Sequence, residues 1–177
     1  MCPSINLLKT YKVYPSVLNL SYSKDKFFIY VYLDPFHEFQ KPFSVKVQGT
    51  EYCFAYEPFY IGKGTNASGY RQNQHISAFL KDKETNRLKI EKFQEVKEHM
   101  VQSAAQHDIS KPWNWKEFQE NYIKILKTFD NPTDLLKFEM EIIQKIGTVY
   151  QHKGPLVNKI TNAYRFEKLS AGKQPLI

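Results

Sequence analysis

The chain has 177 residues, enough for one domain but not for two full ones, and its net charge of +7 favours a polyanionic partner. Its two cysteines are too few for a disulfide framework, which excludes disulfide-stapled scaffolds and predicts a reducing, cytoplasmic environment. No apolar run approaches membrane-spanning length and no signal peptide is visible, so we expect no membrane partner.

The chain begins with an arm and a strand. Residues 1–26 carry scattered apolar side chains and predict an ordered arm that packs on a sheet. Phe28–Leu33 is an apolar, aromatic run, which predicts a strand. The Asp34-Pro35 pair that follows predicts the end of this strand.

Residues 36–57 form a separate pattern. Apolar and polar residues alternate on both sides of Gln48-Gly49-Thr50, which is a hairpin signature. Two interpretations stay open for this hairpin. It is either a DNA-facing flap that carries Lys41 and Lys46, or an elaborated edge of the sheet.

A strand, a glycine-rich turn and a helix follow. Pro58–Ile61 is a short apolar run that predicts a strand, and Gly62–Gly69 has the composition of a turn. From about Tyr70 the apolar residues recur at helical spacing. Arg71 and His75 are four residues apart, so they share one face of this helix.

The middle of the chain predicts two amphipathic helices. Apolar residues recur at helical spacing over Leu88–Ala104 and again over Trp115–Phe129, where the aromatic residues are expected in the core. Basic residues near the start of the first helix either contact phosphates or form a solvated face. They are Lys81, Lys83, Arg87, Lys89 and Lys92.

The last helix has clear boundaries. Asn131-Pro132 supplies a helix cap and a first helical residue, and Gly147 suits the C-terminal stop. Glu139 falls within the apolar stripe of this helix, where a carboxylate is costly unless it is paired or bound to a metal. Leu156–Asn158 predicts a short strand or turn, and residues 170–177 predict a flexible tail.

Taken in order, these segments resemble the GIY-YIG nuclease superfamily over roughly residues 27–162. Phe28-Ile29-Tyr30 stands where the family has Gly-Ile-Tyr, and Tyr60-Ile61-Gly62 corresponds to its Tyr-Ile-Gly. The remaining family positions are a helix arginine, a histidine four residues later, a metal-binding glutamate and a late asparagine. They correspond to Arg71, His75, Glu139 and Asn158.

The sequence departs from the family pattern at two places. Phe28 replaces the first motif glycine, and the 36–57 insertion makes the gap between the motif strands longer than usual. Tyr32 is an alternative to Tyr30 as the first motif tyrosine. We prefer Tyr30 because of its spacing to the Asp34-Pro35 turn.

The resemblance implies an α/β (α+β) domain over residues 27–169, with a small antiparallel sheet flanked by helices. It also implies a Mg²⁺-dependent DNA endonuclease, with Mn²⁺ as a substitute, that acts as a monomer or a DNA-induced dimer. Glu139 would hold the metal, since one carboxylate with waters suits Mg²⁺. The expected nucleic-acid contacts are Lys63, Arg71, Lys81, Lys83, Arg87 and Lys89.

The resemblance also implies roles for the other site residues. Arg71 would clamp the scissile phosphate in a fork that lysine cannot copy. Tyr60, near Lys63, is the first choice as general base if its pKa is lowered, and His75 is the next. Tyr30 would orient water, phosphate or Tyr60, while Asn158 would hold the site by hydrogen bonds. The catalytic set is therefore Tyr30, Tyr60, Lys63, Arg71, His75, Glu139 and Asn158.

Three alternatives to a DNA endonuclease stay open. The fold could serve as an inactive nucleic-acid-binding module, as a protein-interaction domain, or as a nuclease for RNA or branched DNA. The insertion and Phe28 allow the first of these, whereas the retained motif residues argue against it.

Overall fold

The computed structural model describes residues 27–65, 71–106 and 114–159. These residues form an α+β fold with the strands and helices named here in chain order. They are β1 Phe27–Val47, β2 Thr50–Thr65, α1 Arg71–Leu80, α2 Arg87–Gln106, α3 Trp115–Tyr122, β3 Ile123–Phe129, α4 Pro132–Ile146 and a 3₁₀ turn at Val149–Gln151. The predicted fold class, a small antiparallel sheet flanked by helices, is confirmed.

The three strands form one antiparallel sheet in the order β2-β1-β3, so β1 lies in the centre. β1 and β2 make a long hairpin that turns at Gln48-Gly49. Both residues have positive φ angles, 48° and 81°, which suits the tight turn and explains the glycine. The register pairs Tyr30 with Gly62 and Tyr32 with Tyr60.

Side chains alternate across β1 and divide the core in two, because successive residues of a strand point to opposite faces. One face is aliphatic and is covered by α4, which contributes Leu135, Phe138, Ile142 and Ile146. The other face carries the tyrosines and is covered by α1, α2 and α3. We call them the aliphatic face (Ile29, Val31, Leu33) and the tyrosine face (Phe28, Tyr30, Tyr32).

Two predicted strand ends were wrong. β1 does not stop at Asp34-Pro35 but continues to Val47, with register shifts that absorb the proline. β2 does not stop at Ile61 but continues through Gly62–Thr65, because every residue from Gly62 to Thr65 pairs with β1. Gly62 and Gly64 therefore belong to a strand, whereas the rest of the predicted turn, residues 66–69, lies outside the described residues.

The hairpin predicted within residues 36–57 is confirmed, and its tip packs against the protein. Val45, Val47 and Phe54 are buried in the core of the aliphatic face. The Gln48 backbone N–H donates to Glu141 Oε1 at 3.3 Å, and the Lys145 ammonium donates to a backbone carbonyl of the hairpin. These contacts favour the elaborated sheet edge over a free DNA-facing flap.

The helix predicted over Trp115–Phe129 is confirmed in its first half and was wrong in its second half. α3 ends at Tyr122, and Ile123–Phe129 forms strand β3 along the free edge of β1. The backbone groups on that edge of β1 require partners, and β3 supplies them. Local helical spacing could not predict this pairing, since it depends on a strand far back in the chain.

The other helix predictions are confirmed. α1 begins at Arg71, and α2 covers the predicted Leu88–Ala104 segment. In α4 the Asn131 side chain accepts from the backbone N–H of Asp134, and Gly147 ends the helix with a φ of 86°. The predicted arm (1–26) and tail (170–177) lie outside the described residues.

None of the described helices is both long and apolar enough to cross a lipid bilayer.

Candidate active site

A polar cavity of about 290 Å³ lies beside β2, one of the two edge strands of the sheet. All seven residues of the predicted catalytic set line it, although they come from β1, β2, α1, α4 and the segment after α4. Five further residues complete the lining. They are Glu84, Thr85, Asn86, Lys89 and Lys159.

Tyr30, and not Tyr32, is the β1 tyrosine that reaches the cavity. The Tyr32 hydroxyl donates to the backbone carbonyl of Gln72, whereas the buried Tyr30 hydroxyl has no hydrogen-bond partner among the described residues. Burial, and then the nearby Tyr60 and Tyr32, raise the pKa of Tyr30. An unpaired buried hydroxyl on a cavity wall is available to a bound water or ligand.

The two strand glycines make room for the aromatic rings of β1. A Cβ at Gly62 would lie 2.3 Å from Cζ of Tyr30, and one at Gly64 would lie 2.5 Å from Cζ of Phe28. Any side chain at these positions would displace the rings. The glycines therefore allow the tyrosine face to be filled by large side chains up to the edge of the cavity.

Four residues form a hydrogen-bonded network on one wall of the cavity. Tyr60 Oη lies 3.2 Å from His75 Nε2, and His75 Nδ1 lies 3.0 Å from Glu84 Oε2. Lys89 Nζ lies 3.1 Å from His75 Nδ1 and 3.4 Å from Glu84 Oε2, and it sits 3.9 Å from the centre of the Tyr60 ring. The network joins β2, α1, α2 and the turn before α2.

Burial and neighbouring charges set the protonation of this network. Burial, followed by the Lys89 ammonium, lowers the pKa of His75, so the imidazole is neutral at pH 7. Burial also lowers the pKa of Lys89 to about 8, although Glu84 opposes this shift. Burial raises the pKa of Tyr60, and the carboxylates of Glu139 and Glu84 add to the effect. The Tyr60 hydroxyl therefore stays protonated, contrary to the lowered pKa that a resident phenolate would need.

Glu139 adds a buried carboxylate to the cavity lining. Its Oε2 lies 2.6 Å from Lys63 Nζ, and burial raises its pKa while Lys63 opposes the shift. Glu141, two residues on, points elsewhere and pairs with Lys145 at 3.2 Å. The two glutamates therefore face different surroundings, because residues two apart on a helix point in nearly opposite directions.

Arg71 and Asn158 occupy contrasting positions. Arg71 is exposed at the start of α1, where its Nη1 donates to Gln74 Oε1 at 2.9 Å. Asn158 is buried, and its amide both accepts from the Ile61 N–H at 2.9 Å and donates to the Ile61 carbonyl at 2.7 Å. Asn158 thus holds the outer edge of β2 in place, while Arg71 stays accessible to a ligand.

The predicted nucleic-acid contacts divide into two groups. Lys81, Lys83 and Arg87 are exposed around the turn between α1 and α2, and Arg87 pairs with Glu91 at 2.7 Å. The prediction that Lys89 is solvated or contacts a phosphate was wrong, because its side chain turns inward and is only 4% exposed. Helical position alone did not reveal that Lys89 faces the Tyr60 ring.

Sequence reasoning missed Glu84 and Asn86 as parts of the site. Glu84 lies in a polar turn that resembles any solvated connection. Asn86 is buried and donates to the Val157 carbonyl at 2.8 Å, which ties α2 to the segment after α4. The available signal was the Glu84-Thr85-Asn86 run directly before a helix, which is typical of capping residues.

A second acidic cluster lies apart from the cavity. Asp34, His37 and Glu57 bring three potential metal-binding atoms together. Lys92 already lies 2.7 Å from Asp34 Oδ2, so an ammonium neutralises the buried carboxylate. This cluster is explained by ion pairing between β1 and α2.

Comparisons of this chain with protein-family models, curated proteins and solved structures gave no match.

Proposed function

We propose that this protein is a Mg²⁺-dependent DNA endonuclease that hydrolyses a phosphodiester bond by attack of a water molecule, as the resemblance to the GIY-YIG superfamily implies. One observation carries the proposal. A buried glutamate, an accessible arginine, a neutral histidine and two tyrosines share one polar cavity, although the chain brings them from five separate segments. The net charge of the whole chain, +7, suits a polyanionic substrate.

The donor set of the cavity fits a hard divalent cation. Glu139 already binds a cationic group, the Lys63 ammonium, so its carboxylate is suited to a positive charge. The Asn158 amide is committed to the backbone of Ile61, which leaves Glu139 as the principal protein ligand. Mg²⁺ commonly keeps several waters and takes one or two carboxylates with phosphate oxygens. When bound, it would polarise a phosphate oxygen and neutralise charge on the leaving group.

Arg71 is suited to hold the scissile phosphate. Its guanidinium is exposed at the cavity rim and offers a planar fork of N–H donors that matches two phosphate oxygens. The hydrogen bond to Gln74 aligns the side chain along α1. Lys63, on the edge strand, adds a second positive charge beside the phosphate when it leaves Glu139.

Tyr60 and Tyr30 are suited to handle the attacking water. Because Tyr60 stays protonated, it can accept a proton from water only as it passes its own proton on, and His75 Nε2 lies 3.2 Å from the hydroxyl. The Tyr30 hydroxyl, which has no hydrogen-bond partner in the part of the chain that the structure describes, can orient the same water. Tyr60 remains our choice for the general base, with His75 as the group that receives its proton.

Nicking of supercoiled plasmid tests the proposal. The wild-type protein should nick plasmid with Mg²⁺ or Mn²⁺ and lose this activity with EDTA. Glu139→Gln should abolish cleavage while DNA binding is kept or slightly tightened, since a negative charge near the phosphates is removed. The matched control is Glu141→Gln on the same helix, which should cleave almost normally and lose at most a few tenths of a kcal/mol.

Two outcomes of this experiment would count against the proposal. An active Glu139→Gln protein with an inactive Glu141→Gln protein would mean that the metal site is wrongly assigned. Cleavage of RNA or branched DNA with plasmid left intact would shift the substrate class. A lone domain should release nicked circles first, with linear product appearing only after a second event or in a DNA-induced dimer.

A further inference from the structure

We propose that Glu84 is a positioning residue that holds His75 in the tautomer able to accept the Tyr60 proton, so that Tyr60, His75 and Glu84 form a proton relay. The catalytic part of this inference rests on the proposed nuclease function. The tautomer itself follows from the hydrogen-bond geometry and can be measured without any substrate.

The Glu84 carboxylate is fixed by the backbone on one side and faces His75 on the other. Its Oε1 accepts from the backbone N–H groups of Thr85 and Asn86, each at 3.0 Å. These contacts leave Oε2 to face His75 Nδ1 at 3.0 Å. Although burial acts the other way, the Asn86 N–H and Lys89 lower the pKa of Glu84, so the carboxylate is ionised. An ionised carboxylate only accepts hydrogen bonds, so the hydrogen between these atoms belongs to Nδ1.

Lys89 does not alter this assignment. Its ammonium lies 3.1 Å from Nδ1, but it could donate there only if Nδ1 had no hydrogen. The Glu84 oxygen would then face a bare lone pair at 3.0 Å, which is repulsive. With Nδ1–H directed to Glu84, the Lys89 N–H groups can instead reach Glu84 Oε2 and the face of the Tyr60 ring.

The charges around His75 favour a neutral ring with Nε2 as acceptor. Lys89 and Arg71 disfavour a second proton on the imidazole, whereas Glu84 favours one. The Lys89 ammonium also lies against the ring of Tyr60, where it would stabilise negative charge that develops on the phenol oxygen. Glu84 and Lys89 are buried together, which strengthens both effects.

Each proton that moves in the relay has a donor and an acceptor. As the water oxygen bonds to phosphorus, a water proton moves to Tyr60 Oη and the original Tyr60 proton moves to His75 Nε2. The bond from phosphorus to the leaving oxygen breaks, and the leaving alkoxide takes a proton from solvent. The imidazolium, stabilised by Glu84, then returns its extra proton to solvent.

Glu84→Gln tests the relay because the side-chain amide of the glutamine can take only one orientation. The two backbone N–H groups retain the amide oxygen at the Oε1 position, so the amide NH₂ must face His75 Nδ1. A donor at this position requires Nδ1 as the acceptor and moves the ring hydrogen to Nε2. The same logic explains why replacing a triad carboxylate by its amide disables a catalytic histidine.

The tautomer is measured from the ¹⁵N chemical shifts of the two imidazole nitrogens of His75. The signals that are missing from the spectrum of the His75→Gln protein are those of His75. The wild-type protein should show Nδ1–H and the Glu84→Gln protein Nε2–H. Cleavage per folded molecule of Glu84→Gln should fall by roughly 100-fold or more, within the usual range for general-base effects, with DNA affinity retained. The melting temperature should fall as well, because the buried Lys89 ammonium loses its carboxylate partner. Glu98→Gln, an exposed charge-matched change on α2, should leave all of these unchanged.

Three outcomes separate the relay from the proposed function. An Nε2–H tautomer in the wild-type protein overturns the relay, even if plasmid is cleaved. Near-normal cleavage by Glu84→Gln also overturns it and leaves the nuclease proposal standing. If the wild type shows Nδ1–H, switched by Glu84→Gln, but does not cleave nucleic acid, the positioning of His75 stands and the nuclease proposal fails. In a His75→Ala background, Glu84→Gln should reduce cleavage no further.

Discussion

The two faces of the sheet carry different kinds of side chain, although a single strand supplies both. On the aliphatic face, Ile29, Val31 and Leu33 pack against one helix in a closed apolar core. On the tyrosine face, Tyr30 and Tyr32 pack against three helices, and this packing ends at the polar cavity. The comparison shows that alternation along β1 lets one strand stabilise the fold on one side and build the candidate site on the other.

The difference has an energetic consequence. Burial of aliphatic side chains is favourable and leaves no polar group to satisfy. On the tyrosine face, the buried Tyr30 hydroxyl has no partner among the described residues, and such a group costs free energy. We therefore expect changes on the aliphatic face to affect stability and changes on the tyrosine face to affect activity.

The largest expected effect on stability is on the aliphatic face. Ile142 is fully buried, so Ile142→Ala should lower the free energy of unfolding by about 2–5 kcal/mol through lost burial and a cavity. Urea denaturation measures this loss. Cleavage per folded molecule should not change. Ile143→Ala, at the half-buried neighbour, should lose less, and equal losses would contradict this difference.

The next effect concerns the exposed end of the cavity. Arg71→Lys keeps the charge but loses the bidentate fork, so cleavage should fall on the order of 100-fold with normal folding. Arg87→Lys is the comparison variant, because Arg87 also starts a helix and is exposed but is not part of the cavity lining. Arg87 is a predicted phosphate contact and keeps its charge as lysine, so this variant should cleave nearly normally. The initial rates of plasmid nicking by the two proteins measure this difference. Near-native cleavage by Arg71→Lys would mean that Arg71 is only a solvated helix residue.

The Tyr30→Phe and Tyr32→Phe proteins should differ in their free energy of unfolding. Tyr30→Phe removes a buried hydroxyl that has no partner within residues 27–65, 71–106 and 114–159, so unfolding free energy should stay equal or rise by about 1–3 kcal/mol while cleavage falls. Tyr32→Phe removes a hydroxyl that donates to the Gln72 carbonyl and should lose about 1 kcal/mol. Thermal and urea denaturation measure the stability of both proteins. A less stable Tyr30→Phe protein would show that its hydroxyl is satisfied.

The smallest effect concerns the salt dependence of DNA binding. The logarithm of affinity should fall with the logarithm of salt concentration by about 0.9 per phosphate contact. Lys83→Gln, near the cavity, should reduce this slope by about 0.9 if Lys83 contacts a phosphate. Lys137→Gln, exposed on α4 over the aliphatic face, should leave the slope unchanged. An affinity independent of salt would contradict nucleic acid as the partner.

The sequence alone determined those features whose signals are local. The cap at Asn131 and the stop at Gly147 set the bounds of α4, and apolar periodicity located α2. The order of short motifs selected seven residues that line one cavity, and the position of Glu139 within an apolar stripe separated it from Glu141. The chemical roles of these residues remain predictions.

Only the tertiary structure decided the features that depend on residues far apart in the chain. Ile123–Phe129 is a strand because β1 offers it a free edge. Gly62 is a strand residue because it pairs with Tyr30, whose ring occupies the space that a side chain at Gly62 would need. Glu84 looked like part of a solvated turn until the fold placed it beside His75. Lys89 looked like a surface cation until the fold placed it against Tyr60. Such contacts join separate elements, so neither local spacing nor composition along the chain encodes them.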